Sequence, residues 1–162
     1  MSKRTGKEAF SGKKKTGVRR QPKSKKPFKP LDESSGYYDE YPRWSFRRCD
    51  FEHPKWGLSN NAINLPKVFK YLASLESRKW GDILTDTSGR RENTRNHLIE
   101  FAELTREAQK RAIEITVDEF DPLCSIAMGG RERVWGHISE GVFYIIWFDM
   151  QHEICPSNKR NT

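Results

Sequence analysis

The sequence predicts an α+β domain with helices packed on one face of a mainly antiparallel, four- to five-stranded sheet. Three observations carry this expectation. First, residues 131–138 and 142–148 are strand-like runs on either side of a short Ser139-Glu140-Gly141 turn, whose glycine supplies the positive φ that closes a hairpin. Second, residues 65–78 place Leu65, Val68, Phe69, Leu72 and Leu75 at helical spacing. Third, the element order is strand, helix, short helix, strand, helix and then a three-strand antiparallel meander, with no internal repeat.

In order, residues 37–58 are dense in aromatics and belong to the fold, and alternation over 44–50 predicts a strand ended by His53-Pro54. The helix over 65–78 has Asn64 as N-cap and Pro66 in its first turn. Trp80, Ile83 and Leu84 mark a short second helix over 79–84. Residues 86–96 form a polar loop carrying Arg90, Arg91 and Arg95. A short strand over 97–101 follows. Thr105 N-caps a helix reaching about residue 116, which buries Ala108, Ala112 and Ile113. Residues 122–128 are the next strand, and Gly129-Gly130 turns the chain into the hairpin. The run 142–148 is almost wholly apolar, as in a central strand buried on both faces.

Charge divides the chain in two. Residues 1–30 hold twelve Lys/Arg and one Glu, a net of +11, so the chain's +8 leaves −3 for residues 31–162. Residues 1–36 carry too few apolar groups to offset ordering entropy and are expected to be a disordered polybasic arm. The single domain is residues 37–162. The arm reads either as a phosphate-contacting extension or as a solubilising spacer. Three cysteines and the absence of a secretory signal after the basic start point to a reducing, cytoplasmic setting. No apolar run approaches the ~20 residues of a membrane span, so no membrane partner is expected.

The candidate chemistry lies near the carboxyl end. Alternation puts Arg131, Arg133, Trp135 and His137 on one side of a strand, and His152, Lys159 and Arg160 follow. Guanidinium groups grip phosphate and stabilise a phosphorane, imidazole moves a proton near neutral pH, and indole stacks on a base. Together these suit RNA cleavage by a 2′-hydroxyl, with no metal or other cofactor. The alternative is an ordinary solvated sheet face. A three-residue loop would set Arg133 opposite Trp147 and Arg131 opposite Asp149, and a two-residue turn would shift these pairs by one. Cys49-x3-His53 and His152-x2-Cys155 could furnish zinc ligands, but the spacing matches no standard signature. Cys155 near His152 is the one local thiol–imidazole pair.

Several stretches carry a resemblance to a known family. These are Trp80-Gly81-Asp82-Ile83, His97 opening a strand, Glu107-Ala108-Gln109-Lys110-Arg111, Arg133-Val134-Trp135-Gly136, Phe143-Tyr144-Ile145-Ile146-Trp147-Phe148-Asp149 and His152-Glu153-Ile154-Cys155-Pro156-Ser157-Asn158-Lys159. The pattern over residues 80–162 resembles little-characterised bacterial proteins near the RelE/ParE-like toxins of type II toxin–antitoxin systems. That resemblance implies a small α+β toxin fold, a cognate antitoxin partner, and either metal-independent mRNA cleavage at the ribosome or gyrase inhibition. On the first reading Arg131 and Arg133 bind the scissile phosphate, and His152 or His137 transfers the proton. Trp135 or Trp80 stacks a base, with Lys159 and Arg160 close to the substrate. The rival reading is a non-enzymatic module that binds protein through its body and nucleic acid through its arm.

Overall fold

Residues 132–149 form the middle of the sheet. The computed structural model describes residues 36–87 and 94–156. Its strands are β1 (Arg43–Ser45), β2 (His97–Ile99), β3 (Leu123–Gly129), β4 (Glu132–Ser139) and β5 (Val142–Asp149), in the spatial order β1-β5-β4-β3-β2. The helices are α1 (Leu65–Leu75), α2 (Trp80–Thr85) and α3 (Arg106–Glu114). The class is α+β, as expected, but the sheet is mixed: β1 runs parallel to β5 at one edge, and the other three pairings are antiparallel.

The hairpin has the two-residue turn of the second sequence-based alternative, but its register departs from that alternative farther along the strands. Ser139 pairs with Val142, so the turn is the two-residue Glu140-Gly141, with φ of 50° and 75°. Such a double left-handed turn matches the twist of the flanking strands. Gly136 pairs with Ile145, yet Trp135 pairs with Trp147, which leaves Ile146 as an extra residue in β5. This bulge moves Arg133 opposite Asp149.

The helices do not share one face, contrary to expectation. Val68, Leu72 and Leu75 of α1 and Trp80, Ile83 and Leu84 of α2 pack with Cys124, Ile126, Val134, Phe143, Ile145 and Phe148. Ala108 and Ala112 of α3 join Trp56, Leu123, Trp135, Ile146 and Trp147 in a second cluster. Successive strand residues point to opposite faces, so α1 and α2 cover one side and α3 the other. The caps form where the sequence puts them. Asn64 Oδ1 accepts from the Lys67 amide at 3.1 Å, and Thr105 Oγ1 from the Ala108 amide at 3.4 Å.

The strand expected over 44–50 is cut to three residues. A β-turn follows, closed by the Cys49 amide on the Phe46 carbonyl at 3.0 Å, with Arg47 and Arg48 at its centre. The chain rejoins β5 when the Asp50 amide donates to the Ile146 carbonyl at 2.9 Å. Asp50 then ties three segments together. Its buried carboxylate takes Nε and Nη2 of Arg111 on α3, each at 2.7 Å, and Trp147 Nε1 at 3.1 Å. It also accepts from the amides of Glu52 and His53. The expectations for residues 1–35, for Arg90 and Arg91, and for Lys159 and Arg160 lie outside the described residues.

Candidate nucleic-acid interface

Cross-strand pairing puts Arg133, Trp135 and His137 on one face of β4, as alternation predicts. They do not form one site. Four residues of strand separate Arg133 from His137 by about 13 Å, and Trp135 between them is 1% exposed within the α3 cluster. Trp80 is 0% exposed, and its Nε1 donates to the Gly141 carbonyl at 2.9 Å. The expectation that Trp135 or Trp80 stacks a base is therefore corrected: both indoles are core. Small residues at Ala108 and Ala112 let α3 settle close over the strand face and cover Trp135.

Arg133 serves the backbone. Its Nη1 donates to the carbonyls of Gly130 and Glu132 at 3.0 and 2.8 Å. Burial lowers its pKa, partly opposed by the nearby Asp149 charge. Arg131 is exposed in the turn preceding β4. His152, at φ 62°, lies in the loop that Asp149 organises by accepting from the amides of Gln151, Glu153 and Ile154. That loop follows the Asp149 end of β5, beside Arg133, whereas His137 pairs with Tyr144 near the opposite, hairpin end.

His137 instead belongs to a group that strand alternation did not reveal. A cavity of about 240 Å³ is lined by Arg47, Arg48, Phe120, His137, Ser139 and Tyr144, with Ile146 completing the wall. The 46–49 turn delivers the two arginines. β4 and β5 deliver His137 and Tyr144 as a cross-strand pair. Phe120 stacks on the imidazole with ring centroids 4.7 Å apart, and the Arg48 guanidinium lies 5.0 Å from the Phe120 centroid. Arg47 and Arg48 are exposed, and among the described residues neither has a carboxylate within ion-pair distance. Nearby Arg43 differs: it pairs with Glu40 and donates to the Glu140 carbonyl at 2.8 Å. Burial, with the Arg48 charge added, lowers the His137 pKa below its ordinary 6.5. The imidazole is thus neutral at pH 7 and able to accept a proton.

The cysteine and zinc alternatives find no such geometry. Burial and the Asp50 charge push the Cys49 thiol up to about 12, which suppresses its thiolate. Cys155 is buried with Sγ on the Glu103 carbonyl at 3.5 Å. His53 Nδ1 accepts from the Lys55 and Trp56 amides, and its ring stacks on Trp56 at 4.2 Å. Among the described residues no cluster of three or more His, Cys, Asp or Glu is placed to hold a metal, and no helix is long and apolar enough to cross a membrane.

The signal that could have located the cavity was Arg47-Arg48 beside Phe46, two charges too many for a buried strand. Compared with protein-family models, with curated proteins and with solved structures, the chain matched none.

Proposed function

We propose that the protein is a toxin-like factor that acts on RNA in the cytoplasm without a metal, gripping a phosphodiester in the Arg47/Arg48/His137 cavity. The observation that carries this reading is a pair of arginines that have no carboxylate partner among the described residues, beside the half-buried His137 imidazole. The resemblance of residues 80–162 to proteins near the RelE/ParE-like toxins supports it, and a cognate antitoxin is then the natural protein partner.

In the reaction, the 2′-hydroxyl oxygen attacks the adjacent phosphorus and gives its proton to His137. The bond to the 5′-oxygen breaks, and that oxygen takes a proton from Tyr144 or water. The products are a 2′,3′-cyclic phosphate and a 5′-hydroxyl. Arg47 and Arg48 stabilise the charge that builds on the non-bridging oxygens. Ribosomal mRNA suits this chemistry, and the basic arm adds salt-sensitive phosphate contacts.

A second reading, RNA binding without cleavage, is favoured by one observation. Arg133 and the loop carrying His152 lie at the other end of the sheet, which leaves His137 as the cavity's one imidazole.

The test uses the full chain, single-stranded RNA and a chelator. Cleavage leaving cyclic-phosphate ends should fall about 10²–10⁴-fold in His137→Asn while binding persists. The double variant Arg47→Ala/Arg48→Ala should lose both. Binding without cleavage in the unaltered protein favours the second reading. Binding and cleavage that are both indifferent to Arg47 and Arg48 would refute the site.

A further inference from the structure

Arg47 and Arg48 line not one cavity but two. The second, of about 320 Å³, is bounded by residues 47–52, the same two arginines among them, together with Arg111 and Ile115. The two guanidinium-bearing residues therefore form a ridge between adjoining hollows. Arg111 is committed to Asp50, so it shapes the second hollow without adding a cation for a ligand. Phe51 is 51% exposed, although it sits three residues after Arg48 in a tightly hydrogen-bonded segment. Glu52, 87% exposed at its side chain, disfavours a phosphate on that side and so keeps the anion on the ridge.

Resting on the proposed function, we infer that the ligand is a single-stranded oligonucleotide laid across this ridge. One phosphodiester sits on Arg47 and Arg48, one nucleoside lies in the His137 cavity, and its neighbour stacks on Phe51 in the second hollow. A flat, exposed aromatic next to a phosphate-binding pair is the arrangement that holds unstacked bases in single-stranded binding proteins. Paired bases in a duplex cannot enter two separate hollows. The second hollow is thus a nucleoside subsite that selects strand state and not sequence, since every base offers a π-face.

The experiment compares binding of the full chain to a nucleoside monophosphate, a hexanucleotide RNA and a duplex of the same sequence, by calorimetry and fluorescence anisotropy at one salt concentration. The hexanucleotide should bind at least about ten-fold tighter than either of the others. Phe51→Ala should weaken the hexanucleotide about five- to a hundred-fold and leave the monophosphate unchanged. Phe51→Trp should restore the hexanucleotide, and since the ring is half exposed both variants should fold. If Phe51→Ala leaves the hexanucleotide unaffected, or if the duplex binds as tightly as the single strand, the second subsite is wrong although the ridge stands. Loss of the monophosphate only in Arg47→Ala/Arg48→Ala keeps the ridge. No loss there removes the underlying reading itself.

Discussion

Replacing Asp50 with asparagine should cost more stability than any other single-atom exchange in the domain. The carboxylate side chain is 1% exposed and receives two charge-assisted bonds at 2.7 Å from an Arg111 side chain that is itself 19% exposed. It also receives Trp147 Nε1 and the amides of Glu52 and His53. Burial alone would raise its pKa. The Arg111 bonds, with the two amides and the indole, more than offset this and hold it at about 2 against an ordinary 3.8. A shift of nearly two units corresponds to about 2 kcal/mol of folding free energy. The folded-state pKa is depressed, so this contribution is full above pH 4 and fades as pH falls from about 4 to 2. Leaving Arg111 beside a neutral amide adds the cost of a broken buried pair, for a total near 3–5 kcal/mol at neutral pH. Urea unfolding at pH 7, 4 and 2 measures it. The gap between unaltered protein and Asp50→Asn should be about 3 kcal/mol or more at pH 7 and shrink by about 2 kcal/mol at pH 2. A gap under 1 kcal/mol at pH 7, or one that does not change with acid, would refute the role given to Asp50.

Three further outcomes are expected. Trp80→Phe should destabilise by about 1 kcal/mol more than Trp135→Phe in chemical denaturation, because Trp80 Nε1 gives up its bond to Gly141, while Trp135 Nε1 has no hydrogen-bond partner among the described residues. Gly136→Ala should cost at least about 2 kcal/mol in thermal unfolding, since its new methyl group would overlap the Tyr144 carbonyl and the Phe143 ring. In Arg48→Ala, the His137 pKa read by NMR should rise from its lowered value, because the Arg48 charge is removed, while burial still keeps it below 6.5.

Local grammar carried much of this fold. Asn64, Thr105 and the Glu140-Gly141 turn each act through neighbours two to four residues away, and each forms as the chain's order implies. Ile113, expected in the core of α3, is exposed, and the other misreadings concern mainly long-range partners. Asp50 meets Arg111 across 61 residues and Trp147 across 97, and nothing near Asp50 in sequence signals either. The bulge at Ile146 cannot be seen from alternation, because β5 is apolar at every position there. That same run required cover on both faces, which conflicts with helices confined to one. The row on β4 did lie on one face, but alternation cannot say that α3 would bury its middle. Of the expected site residues that the structure describes, only His137 lines the cavity. Its arginines come from the 46–49 turn, where a strand had been expected.

The most direct test of the central idea follows the His137 imidazole by NMR while single-stranded RNA is added to the full chain. Phosphate on Arg47 and Arg48 should shift the ring resonances and raise the His137 pKa, because an anion nearby favours the imidazolium. The shift should vanish in Arg47→Ala/Arg48→Ala. RNA that binds while leaving His137 unmoved would locate the interaction elsewhere and contradict the cavity.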